Sequence, residues 1–233
     1  MSDGELVLHG VSLRLGERVL INRLDLEVTA DRVTTVMGPS GCGKSALLNF
    51  ICGTLPPAFE ATGRVILGGR DLAPLPPERR RVGILFQDDL LFPHMSVGEN
   101  LAFGLPARVK DREERWGRVE AALVEADLAG MADRDPATLS GGQRARVAVM
   151  RTLLAEPRAL LLDEPYSKLD TALKARFRAF VFDHARANRI PTLLVTHDPA
   201  DAESAGGPVL ELARPGSPLG APRETVLRRP RTI

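Results

Sequence analysis

The sequence predicts an α/β fold: a parallel sheet with helices on both faces, joined to an N-terminal antiparallel β-layer and a helical subdomain. Three observations predict it. Ala159-Leu160-Leu161-Leu162 and Thr192-Leu193-Leu194-Val195 are short, continuous apolar runs, and an amphipathic helix carrying Leu173, Phe177 and Val181 lies between them. Strands apolar on both sides, alternating with helices, belong to a parallel sheet covered on both faces. The first thirty residues instead alternate apolar and polar, as in Leu6, Leu8 and then Leu24, Leu26, Val28, the period of strands with one buried face. Between about Leu90 and Ala155 the texture turns helical.

In chain order, Val33-Thr34-Thr35-Val36-Met37 reads as a buried strand running straight into Gly38-Pro39-Ser40-Gly41-Cys42-Gly43. From Lys44, the residues Leu47, Leu48 and Ile51 keep helical spacing until Gly53 stops the helix. A strand spans Val82 to Phe86. Ser96-Val97-Gly98-Glu99 has the spacing of a capping box, and Trp116, Val119 and Leu123 mark one face of a charged helix ending near Gly130. Ser140 and Gln143 repeat the capping-box spacing before a helix with Val147, Met150 and Leu154. Val209 to Leu212 is a weak last strand. No internal repeat is present, so the whole chain, 1–233, is expected to be one domain, with 1–87 and 156–233 as core and β-layer and 88–155 as the helical subdomain.

Composition narrows the function. Lys and Arg number 31 against 30 Asp and Glu, a net charge of +1, so nothing draws the chain globally toward polyanions and nucleic acid is not an expected partner. No apolar run reaches the roughly 18 residues of a membrane helix, and Met1-Ser2-Asp3-Gly4-Glu5 lacks the basic flank of a signal peptide, which points to a cytoplasmic protein. Cys42 and Cys52 have neither metal-ligand spacing nor disulfide-scaffold density and are expected as free thiols.

Three segments carry chemistry. Gly38-Pro39-Ser40-Gly41-Cys42-Gly43-Lys44-Ser45 fits G-x-x-x-x-G-K-[ST] between a strand and a helix. Backbone N–H groups and the helix N-terminus offer partial positive charge to phosphate oxygens, Lys44 adds a full charge, and Ser45 is placed to ligate Mg²⁺. Asp163 and Glu164 follow an apolar strand at the end where open α/β sheets bind ligands; Asp163 suits the Mg²⁺ hydration shell and Glu164 the polarisation of an attacking water. Leu139-Ser140-Gly141-Gly142-Gln143 is both a capped helix start and a second anion site. Cys42, beside a helix N-terminus and Lys44, is expected to have a reactive thiolate.

These segments, with Leu161-Leu162-Asp163-Glu164-Pro165, resemble in order and spacing the nucleotide-binding subunit of ABC transporters, a P-loop NTPase. Gln87 after its strand, Ser167-Lys168-Leu169-Asp170, and His197 after Leu194-Val195-Thr196 agree. The resemblance covers almost the whole chain and is nearest to importer ATPases of the thiamine, molybdate and polyamine type and a related uncharacterised group. It implies ATP and Mg²⁺ as cofactors and an ATP-sandwich homodimer in which each phosphate loop faces the partner's Ser140 and Gly142. It also implies that Gln87 senses Mg²⁺ and the attacking water, that His197 contacts the γ-phosphate, and that Asp170 links the two sites across the interface. Membrane permease subunits and an extracytoplasmic solute-binding protein would be the other partners, holding the ATPase at the inner face of the cell membrane. Leu90-Leu91-Phe92-Pro93-His94-Met95 is either an apolar surface for a permease helix or a buried loop.

Three positions depart from the family pattern. Leu15 stands where an aromatic ring usually stacks on adenine, Ala46 replaces a common Thr at the phosphate site, and Lys168 replaces a small residue near Asp170. An exporter ATPase, or an ABC-type ATPase uncoupled from transport, remains the alternative function.

Overall fold

A computed structural model describes residues 5–165 and 171–213, with side chains in the second stretch from Lys174 onward. Ser167, Lys168, Leu169, Asp170, the Leu173 side chain and the last twenty residues lie outside the described residues. Along the chain run β1 (Leu6–Leu15), β2 (Arg18–Val28), β3 (Val33–Met37), α1 (Lys44–Cys52), β4 (Phe59–Leu67), β5 (Arg70–Asp71), β6 (Val82–Leu85), α2 (Val97–Gly104), α3 (Arg112–Glu125), α4 (Gly141–Leu154), β7 (Ala159–Asp163), α5 (Thr171–Ala187), β8 (Thr192–Thr196), α6 (Pro199–Ala205) and β9 (Val209–Glu211). The described residues divide into two compact units, one of 5–84, 158–164 and 182–213, the other of 85–157, 165 and 171–181.

In the first unit the alternating opening does form an antiparallel layer, with strand order β2-β1-β4-β5. Its inward set, Leu6, Leu8, Val11, Leu24, Leu26 and Val28, is buried, while the intervening residues face out. β4 and β5 complete this layer beyond the thirty residues that alternation marks. β4 escapes pattern reading because only Val65 and Leu67 of its nine residues are buried. The second sheet has the order β6-β7-β8-β3-β9, and β3 pairs in parallel with both β8 and β9, as β7 does with β8. Every residue of β8 and the first four of β7 are buried, which is why both read as unbroken apolar runs. Leu47, Leu48 and Ile51 of α1 join Leu161, Leu193, Val195 and the inner face of the antiparallel layer in one core.

The second unit is helical. Ser96 and Glu99 exchange the two hydrogen bonds of a capping box at the start of α2, and Asp111 caps α3. Val97, Leu101, Val119, Leu123 and Val147 are fully buried. Two expectations need correction. α3 stops at Glu125 rather than near Gly130, because Ala126 leaves helical geometry and Asp127 turns left-handed at φ 55°. Trp116 does not share the burial of Val119 and Leu123; it lies exposed at the rim, its ring 3.0 Å from where a Cβ on Gly98 would stand.

Candidate functional site

Strand register assembles the site in the first unit. Met37 pairs with Thr196 and Asp163 with Val195, so β3, β7 and β8 end at one edge of the sheet. The segments leaving that edge are the glycine-rich loop, Asp163-Glu164 and His197. The C-terminal edge of a parallel sheet is where open α/β folds hold ligands.

The glycine-rich loop is shaped for an anion. Gly43 occupies the N-cap of α1 at φ 106°, a conformation that an L side chain rarely adopts, and no side chain caps the first turn. A Cβ on Gly38 would sit 2.7 Å from the Cys42 sulfur and 2.9 Å from the Leu212 carbonyl oxygen, so any larger residue would push the loop off the sheet. Lys44 is 7% exposed, and its Nζ donates to the carbonyls of Gly38 (2.8 Å) and Pro39 (3.1 Å). The ammonium is thus folded over the loop's own backbone, next to the uncapped N–H groups of α1, where phosphate oxygens can accept from both. Ser40, Gly41 and Ser45 are exposed, and Ala46 is half-buried with its methyl packed against the core.

Asp163 hydrogen-bonds with Ser45, and its carboxyl is held above the ordinary carboxylate range, chiefly because burial penalises its charge; Ser45 and Lys44 oppose that rise while Glu164 adds to it. A hydroxyl and a desolvated carboxylate side by side are hard oxygen donors, and Mg²⁺ takes one or two such groups with the rest of its shell from water and phosphate. The residues present therefore fit Mg²⁺. Among the described residues no cluster of three or more His, Cys, Asp or Glu competes with them.

Glu164 lies one residue beyond the strand at φ 46°, with its N–H donating to the Val195 carbonyl at 3.0 Å. A glutamate in left-handed backbone costs roughly 1–3 kcal/mol, and such strain gathers at functional sites. Its Oε1 lies 2.9 Å from Nδ1 of His197. A carboxylate only accepts, so Nδ1 carries the proton in this contact and the other ring nitrogen, Nε2, is left to face away from Glu164. His197 is exposed but is set on a rigid turn: Thr196 Oγ1 donates to the buried Asp201 (3.1 Å) and accepts from the Asp198 N–H (3.0 Å), while Asp198 caps α6. Thr196, Asp198 and Asp201 carry no motif of their own, and only the Asp-Pro pair at a helix start could have signalled them.

Cys42 overturns one expectation. It is completely buried, and desolvation raises its thiol above the ordinary value despite Lys44 and two backbone hydrogen bonds. Burial outweighs the helix terminus, so the loop thiol is not poised for attack. Cys52 is buried further along α1, its thiol pushed up to about 12, and both cysteines are free.

Leu15 ends β1 opposite Arg18 and is 42% exposed, an apolar side chain at the open tip of the antiparallel layer. In the second unit Gln87 is exposed two residues beyond β6. Leu139 is buried, Ser140 is exposed, and Gly141, Gly142 and Gln143 form the first turn of α4. Ser140 Oγ accepts from the Gln143 N–H (3.2 Å), and Gln143 Oε1 accepts from the Ser140 N–H (2.8 Å).

A strand, a phosphate-shaped loop and a helix, followed by two carboxylates at the end of another strand of the same sheet, define a nucleotide-hydrolysing class. The sequence pattern of the ABC transporter family matches residues 21–167. The chain is 48% identical over 209 residues to the uncharacterized ABC transporter ATP-binding protein YnjD of Escherichia coli strain K12, covering 90% of this chain and 95% of that protein. It is 36% identical over its full length to the Fe(3+) ions import ATP-binding protein FbpC of Pasteurella multocida, covering 66% of the latter. To the spermidine/putrescine import ATP-binding protein PotA of Acidothermus cellulolyticus it is 41% identical, over 91% of this chain and 55% of that one. This chain belongs to the ABC transporter family, as an ATP-binding and ATP-hydrolysing subunit. None of its described helices is long and apolar enough to cross a membrane.

Proposed function

We propose that this chain powers uptake of a small solute through separate membrane permease subunits, closing as a head-to-tail homodimer on two Mg-ATP and reopening on hydrolysis. The Glu164–His197 pair at the edge that also carries Lys44 and Asp163 is the observation that carries this reading. Phosphoryl transfer needs positioning and charge stabilisation more than covalent help, and those groups supply both. Lys44 and the N–H groups of α1 hold the phosphates, and Glu164 orients and deprotonates water. His197 holds Glu164 in place through Nδ1 and contacts the γ-phosphate. Ser45 and Asp163, with Gln87, would hold Mg²⁺, which neutralises charge on the phosphates.

Ser140 and Gly142 of each copy serve the ATP bound by the other, and Asp170 connects the two sites across the interface. Leu15 gives adenine apolar contact without a ring. The import direction is supported by the relatives FbpC and PotA, both named as import ATPases. Leu90, 55% exposed, and Phe86, 39% exposed, lie on either side of Gln87 in the chain and support a permease contact there. A solute-binding protein outside the membrane would deliver cargo, and the ATPase would sit on the cytoplasmic face.

Glu164→Gln tests the reading. The amide keeps the shape but cannot take a proton, so the variant should bind ATP, lose hydrolysis by roughly a hundredfold and accumulate as an ATP-bound dimer in sedimentation. Hydrolysis at the wild-type rate would remove Glu164 from the chemistry, and a monomer at saturating Mg-ATP would remove the sandwich.

A further inference from the structure

The segment after Gln87 is held by side chains of the second unit that no motif includes. Its shape is unusual: Leu90 adopts left-handed backbone at φ 45° while leaving its side chain largely in water. An exposed leucine gains nothing from that conformation by itself, so the surroundings must impose it. Two arginines one heptad apart on α4 do so. Arg144, in the first turn, donates from Nε to Asp89 Oδ2 (2.9 Å) and from Nη1 to the Leu139 carbonyl (2.9 Å). Arg151, in the last turn, donates from Nη2 to the carbonyls of Leu90 (3.0 Å) and Asp89 (3.3 Å), and its guanidinium lies 5.1 Å from the centre of the Phe92 ring.

Asn100 of α2 closes the cage. It is completely buried, accepts from the Phe92 N–H (2.8 Å) and from Arg151 (3.3 Å), and places Nδ2 within 3.2 Å of the Phe92, Met95 and Ser96 carbonyls. Side chains seven apart on a helix lie on one face, about 10 Å from each other along the axis. The segment 89–92 is therefore strapped along α4, starting at the turn that Ser140 caps.

We infer that Arg151, seconded by Arg144 and Asn100, is a positioning residue that makes segment 89–92 move with α4, so that nucleotide engagement at Ser140 is felt at Leu90. This deepens the proposed permease contact and rests on it for its use, though not for its test. A planar fork that grips two carbonyls and a ring at once cannot be replaced by an ammonium, which is a single point of charge.

Hydrogen exchange of residues 89–95 in the full chain, with and without the non-hydrolysable analogue adenylyl imidodiphosphate and Mg²⁺, tests this directly. Wild type should show a nucleotide-linked change in that segment. Arg151→Lys should speed its exchange about tenfold, abolish the nucleotide-linked change and leave the dissociation constant of the analogue within about twofold. Arg115→Lys is the control for simple damage, because Arg115 also grips two carbonyls of the second unit, Val109 (2.9 Å) and Ala102 (2.7 Å), without touching the segment. It should leave the response of 89–95 intact. The inference is overturned if Arg151→Lys keeps the response, if Arg115→Lys loses it equally, or if wild type binds the analogue without any response there. Failure of wild type to bind the analogue at all would strike the nucleotide site itself.

Discussion

Two helices begin at glycine-rich segments, and they begin differently. α1 starts at Gly43 with no side chain over its first turn, whereas α4 starts at Ser140 with both halves of a capping box in place. The start of α1 has N–H groups that Gly43 cannot cap and a buried lysine held only by two loop carbonyls; phosphate oxygens would be further acceptors for both. α4 is complete without any ligand, and its serine hydroxyl stands exposed on an already ordered turn. α2 has the same box at Ser96 and Glu99 with no proposed ligand, so the box by itself marks a helix start, not a function. The difference teaches that the phosphate loop leaves donors open to a ligand, whereas the Ser140 turn is finished before any ligand arrives.

The largest effect should come from breaking the open end. Lys44→Ala should weaken ATP about a hundredfold in a nucleotide titration, the value of one strong charge-assisted contact, yet lower the stability of the nucleotide-free protein by no more than about 3 kcal/mol, since two carbonyl contacts are lost while the cost of a buried charge is relieved. An affinity unchanged by that substitution would put the phosphates elsewhere.

Chemical labelling sharpens the picture of the same loop. With its thiol buried and harder to ionise, Cys42 should react with N-ethylmaleimide at pH 7 at least about tenfold more slowly than an exposed cysteine, and raising the pH should speed the reaction as thiolate forms. Mass spectrometry of timed samples reads this out; fast labelling at Cys42 would mean that the loop opens readily without ligand.

The finished end is tested by twin substitutions. Ser140→Ala and Ser96→Ala each delete one cap and should each cost about 1 kcal/mol in denaturant unfolding. Only Ser140→Ala should also lower ATP turnover. Equal turnover losses would reduce the Ser140 turn to a structural cap.

The smallest effect concerns Asp163. Its folded-state value is raised, so the folded protein holds that proton more tightly than the unfolded chain; the group supports folding below the ordinary carboxylate range, and that support is lost as pH rises through the raised value. At neutral pH the ionised carboxylate is a burden in the absence of Mg²⁺. Asp163→Asn should therefore raise the melting temperature of the nucleotide-free protein at pH 7 by roughly 2 °C, and the gain should vanish near pH 3.5. Mg-ATP should reverse the order by stabilising only the wild type.

The two glycine-rich starts were both legible in the sequence, because glycine, serine and lysine at fixed offsets are rare together and each offset answers a backbone need. The apolar runs of β7 and β8 were legible for a similar reason, since full burial leaves no polar residue in them. What pattern could not supply falls into two kinds. β4 buries too few residues, and α6 is too short, to show a period. Cys42 was misread because the helix terminus can be seen in one dimension, while the burial that outweighs it arises only when the strands assemble. Arg151, Asn100 and Asp201 are single polar residues whose partners lie far along the chain or on a neighbouring turn, and one letter gives no hint of being held.

β3 has both its neighbours, β8 and β9, at the far end of the chain, and the Leu212 N–H closes on the Met37 carbonyl at 2.8 Å just before the phosphate loop. During synthesis the loop is thus made early and finished late. At about 5–20 residues per second, roughly ten to forty seconds separate the emergence of Val33 from that of Leu212. For roughly the last third of that interval the helical segment 85–157 has all its own contacts available, whereas the phosphate loop has no sheet to leave. A ribosome stalled before β8 would hold a chain that carries the whole G-x-x-x-x-G-K-S sequence and cannot grip ATP, so nucleotide can act as a folding partner only for a chain whose synthesis is almost done.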